Sequence, residues 1–313
     1  MNIMERINLF QRTHTAAYML KTMLILLLSL VFFASCAEKE ESTPIVPQEP
    51  EEDLTLPDTL KIISYNILEG MKNDKANNYN KFVEWVNTYK PDVLALEEVN
   101  GFRQKDLEKL AARWGHPYVI TNVKSTDNYP VALTSKYPIV SRRKVTLNVS
   151  HGAIFAKLRD ADLNIVVTHL WPQAYWKTVG DDRGNEYRLQ ETNIVLDSTI
   201  RKFPNEKNWL FMGDFNSRNR KDYNPPVTTN NYWVMDQIEA DGYTDVIHYL
   251  YGNKSDGVNY DFQYPGTRID FMFGTPTVLS RVTKAMFIYD EFTAVASDHR
   301  PVMTHILLKE TTP

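Results

Sequence analysis

The stretch WLFMGDFNS at residues 209–217 runs apolar to Gly213 and then sets Asp214 and Asn216 two residues apart. The pattern recurs. Asn66 closes "SYNI", Glu98 sits in "LALEEV", His169 in "VVTHL", and Asp298 with His299 in "ASDHRPV". Asp270, in "RIDF", stands near the start of its own run. Charged and imidazole side chains are costly to bury without partners. Six such sites in one domain are poorly explained as separate accidents.

Each group alone has an ordinary reading. Asn66 suits a turn or strand end. His169 suits a hydrogen-bonded core histidine, Asp270 an ion pair with Arg268, and "SDHRP" a loop with a local Asp–His contact. The weight lies in the set.

Strand-like runs punctuate residues 58–313: "LKIISYNI" (60–67), "DVLALEEV" (92–99), "VALTS" (131–135), "AIFAKL" (153–158), "NIVVTHL" (164–170), "NWLFMGDF" (208–215), "RIDFMF" (268–273) and "PVMTHILL" (301–308). Helical spacing appears at Phe82, Trp85, Val86 and Tyr89, at Leu107, Leu110, Ala111 and Trp114, and across Glu186 to Phe203. Many strands with a few helices predict a layered α/β domain with helices outside packed sheets. No linker or repeat divides it.

The first 57 residues have a different character. Met23 to Ala34 ("MLILLLSLVFFA") is uncharged and apolar, shorter than the ~20 residues of a spanning helix, and follows Lys21. It leads through "FASC" to Cys36, the only cysteine of the chain. This resembles a bacterial lipobox, with Phe33 standing where Leu is commoner. The resemblance implies a signal peptide over residues 1–36 with Cys36 as a lipidation site, the alternatives being an ordinary cleaved signal with a chance cysteine or an uncleaved anchor. A lone cysteine excludes an intrachain disulfide. Residues 1–18 depart from a signal's layout, which makes Met19 an alternative start. Residues 37–57 are acidic and proline-rich, the composition of a disordered tether. Their acidic run is either a routing signal to the outer surface of a bacterial outer membrane or a solvated linker. The expected location is an exported, lipid-anchored one, with no other membrane contact and a monomeric state.

Residues 1–57 hold 4 Lys/Arg and 8 Asp/Glu, which leaves 31 of the chain's 35 basic and 31 of its 39 acidic residues in 58–313. A neutral domain lacks the basic surplus of a tight nucleic-acid binder, although a nuclease that meets its substrate through a metal remains open.

The ordered set "LALEEV", "GDFN", "RID" and "SDH-x-P" resembles the endonuclease/exonuclease/phosphatase superfamily, the deoxyribonuclease-I-like fold. Glu97 takes the slot of the more usual Gln, so Glu98 aligns with the metal-binding glutamate. The resemblance implies a four-layer α/β sandwich of two packed mixed β-sheets flanked by helices. It implies a metal-dependent hydrolase acting on a phosphodiester or phosphomonoester, with Mg2+ as cofactor and Mn2+ as a substitute. Mg2+ takes hard oxygen ligands and keeps several waters. The metal group is Glu98, Asn66 and Asp298. The catalytic group is Asp214 orienting and deprotonating water, Asn216 on the phosphate, His299 paired with Asp270, and His169 as phosphate donor or general acid. Which histidine protonates the leaving group stays open.

If Asp214 and Asn216 lie on one strand, period two puts them on one face with Phe215 opposite. Trp171 and Tyr175 in "WPQAYW" either stack on substrate or pack their loop. Arg218 in "SRNRK" either reaches phosphate or belongs to a solvated basic loop. The substrate is a nucleic acid, a phospholipid head group or a small phosphorylated metabolite. "GTRID" lacks the Cys-Asp-Arg element of inositol-polyphosphate phosphatases. A non-catalytic binding protein on the same scaffold would be expected to have lost one of Glu98, Asp214, Asp270, Asp298 or His299.

Overall fold

A computed structural model describes residues 55–124, 129–172, 183–226, 232–253 and 267–308. Cys36, the expected signal peptide, residues 37–54 of the expected tether and Tyr175 lie outside the described residues.

Two six-stranded sheets carry the fold. The first holds β1 (Thr59–Asn66), β2 (Val93–Glu97), β3 (Tyr118–Thr121), β4 (Ala132–Ser135), β11 (Val282–Phe287) and β12 (Val302–Leu307), in the order β11-β12-β1-β2-β4-β3. The second holds β5 (Ile139–Val145), β6 (Gly152–Leu158), β7 (Leu163–His169), β8 (Trp209–Asp214), β9 (Thr244–Asp245) and β10 (Asp270–Gly274), in the order β5-β6-β7-β8-β10-β9. Both are mixed. β1 runs parallel to β2, and β7 parallel to β8, while the remaining pairs are antiparallel.

The apolar residues divide into three layers. Leu60, Ile62, Val93 and Ala95 from the first sheet meet Ile165, Val167, Leu210, Met212 and Met272 from the second. Behind the first sheet, Ile63, Tyr65, Leu94 and Leu96 pack on Phe82 and Trp85 of helix Asn80–Tyr89 and Leu107 of helix Gln104–Ala111. Behind the second, Phe211, Phe271 and Phe273 pack on Leu196 of helix Arg183–Ser198 and Ile238 of helix Trp233–Ala240. This is the expected sandwich, helix–sheet–sheet–helix. Each such fully buried Leu, Ile or Phe contributes roughly 1.5–3 kcal/mol of transfer free energy.

Strand period places the polar ends. Side chains alternate between faces, and Asn66 continues the Leu60–Ile62 set toward the space between the sheets. Asp214 continues Leu210–Met212, His169 continues Ile165–Val167, and Asp270 shares the parity of Met272. The inter-sheet layer is apolar along its length and polar where β1, β7 and β8 end and β10 begins. Register aligns those ends, with His169 beside Asp214 and Asp214 opposite Asp270.

Candidate active site at the strand ends

β8 passes very close to β7 just before the site. Gly213 has φ +137°, and a Cβ there would lie 1.9 Å from the Thr168 carbonyl oxygen. Only glycine fits, and the close approach brings Asp214 against His169, with Nε2 of the histidine 3.6 Å from Asp214 Oδ2.

The strand stops at Asp214, so strand alternation does not account for Asn216, as the sequence pattern had suggested. Asn216 is in the left-handed region at φ 47°, beyond the ladder, and its N–H donates to Asp214 Oδ1 at 2.9 Å. Its side-chain amide donates to the Leu170 carbonyl at 3.0 Å. A turn brings Asn216 beside Asp214. Phe215 does turn away, fully buried against Phe211, Phe271 and Phe273.

Asn66 lies between two carboxylates. Its Nδ2 donates to Glu98 Oε1 at 3.2 Å and to Asp214 Oδ2 at 3.0 Å. Its Oδ1 accepts the Leu68 N–H at 3.1 Å, which fixes the amide orientation, since a flipped amide would set donor against donor. The Asn66 carbonyl accepts the Ser297 hydroxyl at 2.7 Å, and Ser297 Oγ accepts the His299 N–H at 3.1 Å. Two loops are thereby tied to one asparagine.

After β1 the chain makes an unusual turn. Leu68, Glu69, Gly70 and Met71 have φ of 51°, 49°, 73° and 56°, four consecutive left-handed residues. The conformation costs an L-residue on the order of 1 kcal/mol, so three non-glycine positions carry it only because neighbours hold them. The Glu69 N–H donates to Glu98 Oε2 at 2.8 Å, and the Gly70 N–H to the Glu98 carbonyl at 2.7 Å. Glu98 is itself left-handed, at φ 58°.

His299 Nδ1 lies 2.8 Å from Asp270 Oδ2, and its Nε2 3.8 Å from Asp214 Oδ2. Burial pushes this imidazole down, but Asp270 and then Asp214 push harder the other way, and its pKa stands well above the ordinary 6.5. His169 goes the other way. Full burial, helped by the neighbouring His151 and His299, outweighs Asp214 and pushes it down to about 3. At neutral pH His299 is therefore charged and His169 neutral.

The carboxylates are raised. Burial lifts Asp214, opposed by His299 and helped by Asp270. Burial also lifts Glu98, against the Glu69 N–H and Asn66. Glu97, fully buried beneath them and bonded to the Ser64 hydroxyl at 2.9 Å, is raised well above its usual range by burial and by Asp270. A neutral glutamic acid has nearly the shape of the glutamine that resemblance puts in its slot.

Ligand-type atoms of Asp214, Asp270 and His299 lie within 4.8 Å of one another. A charged imidazole bonded to one of those carboxylates repels a cation, so this trio is better suited to holding a proton. Glu98 is the better cation donor. Each of its oxygens accepts one hydrogen bond, each keeps further acceptor capacity, and its side chain lines the cavity. Hard carboxylate oxygens at an open cavity fit Mg2+ or Mn2+.

The cavity measures about 260 Å3 and is lined by Leu68, Glu69, Glu98, Tyr129, His151, His169, Pro172, Asp214, Asn216 and His299. Sequence pattern alone does not single out Tyr129, His151, Leu68, Glu69 or Pro172. The His151 ring stacks on His169 at 4.4 Å, and Tyr129 meets His151 edge-on at 5.3 Å. A larger cavity of about 420 Å3 opens at Trp209 and Thr275, the opposite end of β8, without such a convergence of acids and imidazoles.

Three other sequence-predicted residues stand apart from this lining. Asp298 is 70% exposed, with Oδ1 4.0 Å from His299 Nε2. The Trp171 ring packs edge-on against Tyr187 at 5.7 Å. Arg218 is exposed, and its basic neighbours pair elsewhere, Arg220 with Asp236 and Lys221 with Glu239.

The sequence matches the pattern of the Endonuclease/Exonuclease/phosphatase family over residues 63–299, which takes in every one of these groups. The chain belongs to that family. Its members are hydrolases acting on phosphoester bonds. Solved structures share the fold. An AP endonuclease from Archaeoglobus fulgidus is 20% identical with a TM-score of 0.58, over 78% of this chain and 98% of that one. A 3'-5' exonuclease from Neisseria meningitidis is 15% identical with a TM-score of 0.60, over 79% and 99%. A Neisseria 3' phosphatase bound to product DNA hairpin is 14% identical with a TM-score of 0.59, over 79% and 99%. No curated protein matches the sequence.

Proposed function

We propose that this family member is an exported, lipid-anchored phosphoesterase, dependent on a divalent metal, that hydrolyses its ester by in-line attack of water. The observation that carries the reading is the convergence on one cavity of Asn66 bridging Glu98 and Asp214, opposite His299 held by Asp270.

Glu98 would hold Mg2+ or Mn2+. Asn66, expected as a second ligand, instead turns its NH2 to Glu98 and its amide oxygen to the Leu68 N–H, and so positions the carboxylate. Asp298, 70% exposed and 4.0 Å from His299 Nε2, would be a second carboxylate for the cation at the rim. When bound, the ion offsets charge on the phosphoryl oxygens. The chain's own residues do the rest. Asp214, lifted by burial, is the better base for it and takes a proton from the attacking water. The water oxygen bonds to phosphorus as the ester P–O bond breaks. His299, charged at neutral pH, gives its proton to the departing oxygen, and Asp270 stabilises the imidazolium. His169, neutral at that pH, donates one N–H to the phosphate rather than a proton. Asn216 orients the phosphate beside Asp214.

The purified chain should hydrolyse a chromogenic phosphate bis-ester in Mg2+ and stop in EDTA. Asp214→Ala and His299→Ala should each lose at least about 1000-fold. Activity that survives both changes and EDTA sinks the mechanism. The similar structures named for DNA-processing activities put plasmid and hairpin DNA first on the substrate panel, followed by RNA, sphingomyelin and inositol phosphates. The anchor rests on the lipobox-like "FASC". Cys36→Ser should move the protein from the membrane fraction to the soluble one, and membrane retention would overturn the anchor alone.

A further inference from the structure

We propose that the left-handed turn Leu68–Met71 is the positioning element of the cation site, fixing Glu98 in place before any ion arrives. This rests on reading Glu98 as the cation ligand.

The turn and Glu98 meet through two backbone donors. The Glu69 N–H holds the carboxylate at Oε2, and the Gly70 N–H holds the main-chain carbonyl of the same residue. Asn66 holds the other carboxylate oxygen, and the turn holds Asn66 in return through the Leu68 N–H. Among the described residues, the hydrogen bonds that fix the Glu98 carboxylate thus come from Asn66 and Glu69. The turn's next donors close it on itself, Met71 N–H to the Ile67 carbonyl at 2.9 Å and Lys72 N–H to the Leu68 carbonyl at 3.2 Å. The Glu69 side chain takes no part in holding Glu98 and reaches Lys72 at 3.1 Å.

A right-handed turn would send those N–H groups elsewhere. The four left-handed residues are strained, and strain of this kind persists where the surroundings over-determine it. The surroundings here are Glu98 and the Asn100 backbone, whose carbonyl oxygen would lie 2.1 Å from a Cβ on Gly70. A glutamate ordered in advance does not lose rotamer freedom when it binds an ion, so preorganisation appears as affinity. A purely structural loop would show no such link.

Gly101 supplies a matched control. It is left-handed at φ +78°, close to the +73° of Gly70, yet a Cβ there meets nothing within 4 Å. Mg2+ and Mn2+ titrations by calorimetry on the full-length chain without substrate should show affinity at least tenfold weaker in Gly70→Ala and within twofold of wild type in Gly101→Ala. A Gly70→Ala protein that is folded and binds like wild type overturns the proposal. Should Gly70→Ala not fold, hydrogen exchange on the wild-type chain decides. The Glu69 and Gly70 amides should be protected without any cation. Exchange at unprotected rates until Mg2+ is added would mean that the ion builds the turn, and would overturn the proposal. Glu98→Ala separates the two readings. Lost affinity there with unchanged affinity in Gly70→Ala defeats the turn alone, whereas retained affinity in Glu98→Ala defeats the ligand reading and this inference with it.

Discussion

Asp270 holds the His299 imidazole at one nitrogen, Oδ2 to Nδ1 at 2.8 Å, and leaves Nε2 facing Asp214 across 3.8 Å. Asp270 opens β10 opposite Asp214, so sheet register rather than loop conformation sets which nitrogen faces the cavity.

The pH dependence follows. His299 is raised above 6.5, so hydrolysis that needs its proton is full at neutral pH and falls as pH climbs through the raised value. The same sign applies to stability, where the pair's contribution is complete below 6.5 and lost on the alkaline side. Asp270→Asn removes the largest contribution raising the imidazole. The alkaline limb of the pH–rate profile should move to lower pH, with kcat at neutral pH down about 10- to 100-fold. A limb that stays where it was would show that it reports another group.

Asn66 separates two acids that would otherwise face each other, by giving one amide N–H to each. Asn66→Asp keeps the shape, loses both donors and adds charge. Activity should drop by at least about 100-fold, and Glu98 should titrate at higher pH than in wild type. Isotope-edited infrared spectra of the carboxylates would record the shift, and an unshifted Glu98 would contradict the bridging role.

The inward-facing half of this site is legible in the sequence because one rule governs it. Asn66, His169 and Asp214 end apolar runs, and the period of two that buries Ile62, Val167 and Met212 also aims these residues between the sheets. Glu98 is legible by its position beside Glu97, but the turn that holds it is hidden. Leu68, Glu69 and Met71 have no intrinsic preference for positive φ, and only Gly70 hints at it. His151 precedes β6 as His169 ends β7, and Gly152 pairs with His169, so their stacking depends on a register that local pattern does not reveal. The strands without a sequence signal are short or lie at sheet edges. In β5, Val140, Ser141, Arg142, Arg143 and Lys144 are exposed or half-buried, so no apolar run marks it.

The β7–β8 contact is a stability prediction independent of the chemistry. A Cβ at position 213 meets backbone rather than a side chain able to swing aside, at 1.9 Å from the Thr168 carbonyl oxygen. Gly213→Ala must push apart the central strands β7 and β8 of the second sheet or distort them. Denaturant unfolding should show a loss of at least about 3 kcal/mol. A wild-type midpoint would mean that the sheet yields there at little cost.

His116 carries the last prediction. It is buried between the Thr134 hydroxyl, 2.8 Å from Nδ1, and the Pro91 carbonyl, 2.9 Å from Nε2. Burial pushes its pKa down to about 4, against those two hydrogen bonds. The unfolded chain titrates this histidine near 6.5 and so binds the extra proton first as pH falls. Stability drops between those two values, by at most about 3 kcal/mol from this residue. Raised carboxylates such as Asp214 and Glu98 act in the opposite sense, so the total slope does not isolate His116. The difference between wild type and His116→Gln does. The variant should start less stable at pH 7, having lost a fitted hydrogen-bond pair, and then lose less than wild type on acidification to pH 4. Unfolding curves across that range test it, and parallel slopes for the two proteins would mean that His116 takes up its proton without leaving the fold.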